Sequence, residues 1–254
     1  MAVASLLLLA LALQLVHRHT TRPPHPALAT LPSHMLWAWE RTEDLRWLPD
    51  DMGVAYVAAS VALAGDAANV RLRPNPLYVD DARARVPVVH VDASGTHPPT
   101  LSVAQRQAIV DTLLRASRFA NRRVVQLDFE VRRSQRDFLR EVIHAARAAL
   151  PADTALSVTA LASWCQGDAW MRDVDADEIV PMAFRMAAGD RVVREQLAQD
   201  GQFRASECKA AVGVATDEPL VQIAAARRYY FSPKPWTAAI WHGQINKENA
   251  RGTQ

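Results

Sequence analysis

The stretch that decides the fold is Val124-Val-Gln-Leu-Asp-Phe-Glu130. Its apolar residues follow one another almost without interruption, as in a strand that is covered on both faces. Similar runs recur along the chain, giving eight candidate strands: Met35–Glu40, Val54–Ser60, Val86–Asp92, Val124–Glu130, Leu156–Ala162, Glu178–Phe184, Ala210–Thr216 and Arg228–Phe231. Helical patterns lie between them, so the sequence predicts an α/β protein with a compact, TIM-barrel-like (β/α)8 fold.

The helices are indicated by their start signals. Ser102 and Gln105 form a capping box, in which each side chain bonds the backbone N–H of the other residue. Further helices are expected from Ser134 to Pro151, over Asp190–Gln199 and over Pro219–Arg227. Segment Gly65–Asp81 looks extended instead, with two prolines at its centre. We therefore expect the second helix of the barrel to be missing.

Length and charge limit the function classes. The chain has 254 residues, and about 200 remain after its N-terminal extension, enough for one buried core. Since a barrel of this type usually needs ~250 residues, its connections should be short. The 29 basic residues are scattered among 27 acidic ones, which does not fit a nucleic-acid-binding surface. The predicted segments are 1–16, a signal peptide or membrane anchor; 17–34, a linker; 35–236, the barrel; and 237–254, a polar C-terminal tail.

The N-terminal segment is an uncharged run, Ala2–Val16, of about 15 residues, short for a membrane span and suited to a signal-peptide core. The Ala-x-Ala triplet that would serve as the cleavage site, Ala27-Leu-Ala29, lies far downstream, and His17-Arg-His19 would suit a segment that stays uncleaved. A buried helix is the alternative, against which the Pro/His-rich stretch Thr20–Pro32 argues. We predict a periplasmic or inner-membrane-anchored protein of the bacterial cell envelope.

Candidate chemistry lies at the carboxyl ends of the strands, because the loops that follow parallel strands form the open face of a barrel. Asp128 and Glu130 are the sharpest signal, since residues i and i+2 of a strand point to the same side. Two close carboxylates repel, which keeps one of them protonated as an acid. Alternatively, Asp128 is simply buried and hydrogen-bonded while Glu130 caps the next turn.

Other rim residues are candidate substrate contacts: Trp39, Glu40, Trp164, Arg185, Asp217 and Glu218. Carboxylates flanked by aromatic platforms are what glycoside chemistry requires. Structural roles stay open for several of them. Asp217 or Glu218 could cap a helix, Glu40 could form a rim salt bridge, and Trp164 could belong to the local core. Arg185 would either neutralise the acids or hold an anionic substrate.

The sequence predicts no metal and no cofactor. Four of its eight histidines lie in the linker, and neither a His/Cys cluster nor a phosphate-binding loop is present. The only cysteines, Cys165 and Cys208, form either one disulfide or two separate buried thiols. An oxidising compartment favours the disulfide. Their expected positions, at opposite ends of the barrel, oppose it, because bridging needs Cα atoms within ~7 Å.

Five ordered motifs resemble a bacterial domain-of-unknown-function family with a barrel of the glycoside-hydrolase type. They are Trp37-Ala-Trp-Glu-Arg41, Gln126-Leu-Asp-Phe-Glu130, Leu161-Ala-Ser-Trp-Cys165, Asp177-Glu-Ile-Val-Pro-Met182 with Phe184-Arg185, and Gly213-Val-Ala-Thr-Asp-Glu-Pro219. The likeness runs from about Met35 to Trp236 and implies a fold and a site but no particular reaction. The family pattern has Asp-Phe-Asp where this chain has Asp128-Phe-Glu130.

More distantly, the chain is similar to family 18 chitinases, whose fourth strand ends in Asp-x-Asp-x-Glu. The match implies that Glu130 is the general acid and Asp128 its partner. Gln126 stands in place of the first Asp, and Phe184-Arg185 stands where a chitinase has Tyr-Asp. These departures remove groups that hold an N-acetyl arm, so chitinase activity itself is not expected.

The resulting hypothesis is a glycoside-hydrolase-like barrel that acts on an envelope or extracellular polysaccharide. Its rival is a non-catalytic carbohydrate-binding or structural envelope protein on the same fold, since fold does not guarantee catalysis. The expected partner in either case is a carbohydrate. The sequence gives no indication of oligomeric state.

Overall fold

The computed structural model describes residues 23–186, 191–219 and 222–252. Eight parallel strands form the barrel: β1 (His34–Ala38), β3 (Met52–Ala64), β6 (Arg85–Ala93), β7 (Val124–Phe129), β8 (Ala155–Leu161), β9 (Glu178–Met182), β10 (Ala211–Ala215) and β11 (Arg227–Phe231). The sheet closes because β1 pairs in parallel with both β11 and β3. All eight predicted strands are present, which confirms the TIM-barrel-like α/β fold.

Short connections keep the domain compact. The described helices are α1 (Val103–Ser117), α2 (Arg136–Ala149), α3 (Ala162–Gln166), α4 (Arg191–Asp200) and α5 (Ala238–Gly252). The capping box of Ser102 and Gln105 is formed at the start of α1. Helix α2, expected from Ser134 to Pro151, buries an apolar stripe that includes Leu139 and Ile143 against the barrel.

The second barrel helix is missing, as the sequence predicted, and an antiparallel hairpin stands in its place. β3 continues beyond the barrel wall and turns at Gly65 into β4 (Ala67–Leu72), which pairs with it antiparallel. A separate two-stranded ladder joins β2 (Glu43–Asp44) to β5 (Leu77–Tyr78). The side chain of Gln105 donates to the carbonyls of Gly65 and Ala67, which fixes the hairpin to α1.

The core has two layers. Inside the barrel, small and branched residues pack around Met35, Trp37, Tyr229 and Phe231. Outside, the helices cover the strands with a larger cluster of Leu, Ile and Val side chains. Side chains that alternate along each strand therefore divide between a filled interior and the helix layer, as in other barrels of this type.

Two sequence expectations about helices are wrong. The described residues 222–226, in the expected helix Pro219–Arg227, are not helical. Their backbone is held by other segments, since Ala224 N–H donates to Gly201 O at 2.8 Å and the Arg228 side chain donates to Ile223 O. The polar C-terminal tail expected over 237–254 instead forms helix α5 from Ala238 to Gly252.

Helix α5 packs on the barrel through its first turns. The ring of Trp241 is buried and meets Tyr230 edge-on at 5.0 Å. Lys247 Nζ donates to Thr216 O at 2.9 Å, which ties the helix to the loop after β10. Polar composition misled the prediction because the large apolar residues of this segment are few: Ile240, Trp241 and Ile245, all in its first half, make its contact with the core.

Part of the predicted linker also belongs to the domain. Residues Pro26–Thr30 form a 3-10 helix, and Ala27, Leu28 and Leu31 are buried against the bottom of the barrel interior. The candidate targeting segment, 1–16, lies outside the described residues. Among the helices that the structure describes, none is long and apolar enough to cross a membrane.

Cys165 and Cys208 form a disulfide, with Cα atoms 5.9 Å apart. The opposed positions expected from the sequence do not arise, because α3 begins directly after β8 and carries Cys165 away from the rim. The segment before β10 passes beside it, where Ala205 N–H donates to Cys165 O at 3.0 Å.

Candidate functional site

Strand β7 places three polar side chains in a column inside the barrel. Gln126, Asp128 and Glu130 alternate with apolar residues that face the helices, so all three point inward. Gln126 and Asp128 are buried, with Asp128 only 5% exposed. Glu130 comes directly after the strand and is exposed at the open end. The column thus leads from the dry interior to the mouth of the barrel.

Both oxygens of Asp128 are engaged by neighbouring strands. His90 Nδ1, on β6, lies 2.8 Å from Oδ2, and Thr159 Oγ1, on β8, donates to Oδ1 at 2.6 Å. Together with Glu130 these residues form what we call the mouth cluster: His90, Asp128, Glu130 and Thr159. Parallel strands that end at one face bring them together.

The charge state of His90 depends on its acidic surroundings. Desolvation lowers the pKa of His90, but the hydrogen bond to Asp128 and the charges of Asp128, Asp92 and Glu40 outweigh it, so the pKa is raised. The raised pKa extends the pH range over which His90 is an imidazolium, a cation in direct contact with Asp128.

Glu130 is held closer to its protonated form than an ordinary glutamate. Solvent reaches its side chain, yet the walls of the mouth remove part of the bulk water. This desolvation, followed by repulsion from Asp128, raises the pKa of Glu130, while the charges of His90 and Arg185 act in the opposite direction. Glu130, Asp128, His90 and Arg185 therefore share one electrostatic environment.

Below the mouth cluster, a second polar chain crosses the interior. Trp37 Nε1 donates to Gln126 Oε1 at 2.8 Å, Gln126 Nε2 to Ser157 Oγ at 3.0 Å, and Ser157 Oγ to Glu178 Oε2 at 2.8 Å. Glu178 also accepts from Tyr229 and Arg227. We call this chain the interior ladder: Trp37, Gln126, Ser157, Glu178, Tyr229 and Arg227.

The interior ladder explains why glutamine stands at position 126. The side chain there must accept from Trp37 and donate to Ser157, and an amide can do both. An ionised aspartate could only accept, so it would leave Ser157 without this donor. The departure from the chitinase motif at this position is therefore built into the interior hydrogen bonding.

Trp39 supplies an aromatic ring beside the mouth cluster. It is half-buried, and its ring meets Trp37 at 4.5 Å and His90 at 5.8 Å, both edge-on. Phe231 stacks on the other side of Trp37 at 4.8 Å and contacts Phe184 at 4.7 Å. Trp39 is the candidate aromatic platform that the structure places next to the carboxylates.

The side chain of Glu218 binds the backbone of Arg185. Arg185 N–H donates to Glu218 Oε1 at 2.7 Å, and Arg194 donates to Oε2 at 3.3 Å. Arg185 has a positive φ of 48°, a strained conformation for a side chain of this size. Glu218 thus anchors the loop that presents Arg185, while Asp217 is exposed beside it.

Glu40 forms a rim salt bridge, one of the two roles considered for it. It accepts from Ser60 Oγ at 2.8 Å and pairs with Arg71 of the hairpin. Trp164 needs a correction. Its side chain is only 2% exposed and packs edge-on against Trp170 at 4.9 Å, within the layer outside the barrel. A ring so covered cannot stack on a sugar, so Trp164 belongs to the core.

Two members of the mouth cluster were missed from the sequence. His90 is the only polar residue among Val88, Val89 and Val91, and its spacing from Val88 places it on the inner face. A lone histidine inside an apolar strand was the available signal. Thr159 carried none, because threonine is common in strands. In the described part of the chain, no group of three His, Cys, Asp or Glu residues could hold a metal.

Comparison with solved structures places this arrangement on a known fold. A candidate chitinase A from Streptomyces coelicolor matches with a TM-score of 0.53 at 10% identity, covering 86% of this chain and 97% of that one. The two chains share a fold. At this identity the likeness extends to the barrel and no further.

Two other structures match more loosely. The Bacillus cereus spore cortex-lytic enzyme SleL has a TM-score of 0.46 at 13% identity over 73% of this chain, which spans about half (51%) of the enzyme's length. The endo-beta-N-acetylglucosaminidase of Cordyceps militaris has a TM-score of 0.44 at 6% identity, over 87% of this chain and 92% of that one. No family model and no curated protein matches the chain. The resemblance to a glycoside-hydrolase-type barrel is confirmed as fold, and the unknown-function family stays a resemblance.

Proposed function

We propose that the protein is a glycoside-hydrolase-like barrel that cleaves an envelope or extracellular polysaccharide, with Glu130 as proton donor. The observation that carries this proposal is the position of Glu130, exposed at the barrel mouth directly after β7 and two residues beyond the fixed carboxylate of Asp128. Desolvation and then the charge of Asp128 raise the pKa of Glu130, which supports the same role. A glycosidase acid must hold its proton near the working pH. Glu130 is exposed, so a substrate oxygen can reach it.

In this proposal Asp128 acts by its charge. Its two oxygens already accept from His90 and Thr159, so it stays fixed beside Glu130 while the acid delivers a proton to the leaving glycosidic oxygen. The ring of Trp39 would stack on a sugar beside the site. Arg185, at the end of β9, would contact the substrate or moderate the charge of the acids.

A non-catalytic carbohydrate-binding or structural role is the second candidate. It is favoured by the partners that several candidate carboxylates already have: His90 and Thr159 for Asp128, Arg71 for Glu40, and Arg194 for Glu218. A binding module needs an aromatic platform and fixed polar groups but no free acid. Trp39 would remain the main contact in that case.

Cleavage assays on a panel of chitin, peptidoglycan and extracellular polysaccharides separate the two. We expect product release by the native chain and a loss of about 10²–10⁴-fold in Glu130→Gln, the usual contribution of a general acid. Glu141→Gln, which changes an exposed carboxylate of α2 paired with Arg106, is the matched control and should retain full activity. Undiminished cleavage by Glu130→Gln would remove Glu130 from the mechanism. Binding without cleavage by the native chain would support the second candidate.

Location is part of the proposal. We expect the run Ala2–Val16 to direct the protein to the periplasm or hold it at the inner membrane. Because Pro26–Thr30 packs beneath the barrel, a truncation should remove residues 1–22 only. That variant should be recovered in the cytoplasm. Its recovery with the envelope would show that another signal directs export.

A further inference from the structure

Asp128 differs from Glu130 in that each of its two carboxyl oxygens already has a hydrogen-bond partner on a neighbouring strand. Thr159 Oγ1 donates at 2.6 Å to one oxygen, and His90 Nδ1 lies 2.8 Å from the other. The carboxyl is buried, and its partners come from the strands on either side of β7. Rotation about its χ angles would break both bonds at once. The group is therefore fixed in one orientation.

His90 is surrounded mainly by acids. Asp128 faces it from β7, Asp92 lies two residues further along its own strand, and Glu40 approaches from the segment after β1. Glu130 faces it at the mouth, and the ring edge of Trp39 lies on another side. Arg71 reaches this group only through Glu40, to which it is already paired. His90 is thus the cation that directly contacts Asp128.

The second ring nitrogen of His90 is accessible. Nδ1 faces Asp128, and one third (33%) of the side chain is exposed. Among the described residues Nε2 has no hydrogen-bond partner and does not belong to the buried unsatisfied atoms. The imidazole can therefore exchange a proton with water while Nδ1 keeps its contact with Asp128.

We infer that His90 is a positioning residue: its contact with Asp128, from the neighbouring strand β6, locks that carboxylate in one orientation at the mouth of the barrel and brings a titratable imidazole into the mouth cluster. With Asp128 held by His90 and Thr159, its charge stays beside Glu130 and raises the pKa of that carboxyl, after desolvation. Protonated His90 balances the charge of Asp128 and so limits the repulsion that Glu130 experiences. Once His90 loses its proton, Asp128 acts on Glu130 uncompensated. The role of His90 in catalysis rests on the proposed function, whereas its effect on Glu130 does not.

The test is an NMR titration of the Glu130 side-chain carboxyl in the full chain and in His90→Asn. Asparagine keeps an N–H donor for Asp128 but carries no charge. The charge of His90 lowers the pKa of Glu130, so its removal should move the Glu130 midpoint to higher pH. His144→Asn is the matched control, since His144 pairs with Asp175 on the exposed outer surface. Its Glu130 midpoint should equal that of the native chain.

A second variant separates positioning from charge. His90→Leu removes both the donor and the cation, while His90→Asn restores the donor alone. If the polysaccharide assay detects cleavage, His90→Asn should recover most of the rate lost in His90→Leu, and the alkaline limb of its pH profile should move upward with the Glu130 midpoint.

The outcomes separate the two levels of the proposal. An unchanged Glu130 midpoint in His90→Asn would overturn the inference about His90, whether or not the chain cleaves any polysaccharide. A shifted midpoint in a chain without cleavage would keep the inference and remove the proposed catalytic function. Equal loss of rate in both His90 variants, with an unmoved pH profile, would show that His90 is only a packing residue.

Discussion

The mouth cluster and the interior ladder both place polar side chains inside the barrel, two residues apart on strands β7 and β8. They differ in how many hydrogen-bond partners their carboxylates have and in how far water reaches them. Ser157 and Gln126 of the ladder lie directly below Thr159 and Asp128 of the mouth cluster. Glu178 accepts from three side chains in a site that water does not reach, whereas Glu130 is exposed and lies beside a second carboxylate. A buried carboxylate with all its partners serves the fold, and an exposed one with a raised pKa is available for chemistry.

The largest loss of unfolding free energy should follow from removing Arg227, the cation of the interior ladder. Arg227→Leu leaves Glu178 buried without its ion pair and also removes donors to Leu28 O and Pro32 O. Loss of one partner of a buried pair typically costs about 3–5 kcal/mol. Urea unfolding should show that loss. Arg106→Leu, which breaks the more exposed pair with Glu141, should cost about 1 kcal/mol or less. Similar costs for both variants would contradict the structural importance of the ladder.

A carboxylate introduced into the interior ladder should lower the unfolding free energy somewhat less than Arg227→Leu does. Gln126→Glu preserves the shape of the side chain and its acceptor for Trp37 but removes the donor to Ser157. An unpaired buried polar group costs about 1–3 kcal/mol. Because a dry site disfavours a carboxylate, the cost should grow as pH rises from 4 to 8. Equilibrium unfolding across that range measures it, and a cost independent of pH would mean that the site admits water.

Two hydroxyls of β8, one in the interior ladder and one in the mouth cluster, compare the two sites most directly. Ser157→Ala removes both a donor to Glu178 and an acceptor for Gln126, and it should destabilise the protein by about 1–3 kcal/mol. Thr159→Val removes one donor to Asp128, near the mouth, where water can partly replace it. We expect a smaller loss from Thr159→Val in chemical denaturation. The opposite order would show that the mouth cluster is the drier of the two.

The smallest change in unfolding free energy is expected for Glu130→Gln, which should stabilise the protein slightly where the other variants destabilise it. Because the folded-state pKa of Glu130 is raised, its ionisation costs stability as pH rises above its unfolded value of about 4.3. Glu130→Gln should match the native chain in unfolding free energy below that pH. By pH 7 it should be slightly more stable, by about 0.5 kcal/mol or less. A destabilised Glu130→Gln at pH 7 would mean that Glu130 has a structural partner.

The sequence predicted the barrel because continuous apolar runs mark strands covered on both faces, and alternation placed Asp128 and Glu130 on one side. It could not predict partners that come from other strands. Thr159 is indistinguishable from a strand-forming residue until β8 lies beside β7. The expected helix at Pro219–Arg227 failed because tertiary hydrogen bonds to Gly201 and Arg228 replaced local ones. Trp164 lies after a strand as expected, but the short helix α3 turns its ring into the core.

The hairpin that replaces the second helix gives this closed barrel a free sheet edge. Among the strands that the structure describes, β4 pairs with β3 alone, so one row of its backbone N–H and C=O groups has no neighbouring strand there. Such an edge can recruit a strand from another molecule. Here the strand has only six residues, carries Arg71 and is followed closely by Pro74 and Pro76. Those features oppose edge-to-edge pairing and help to keep the protein from aggregating, although Leu72 is among its most exposed apolar side chains.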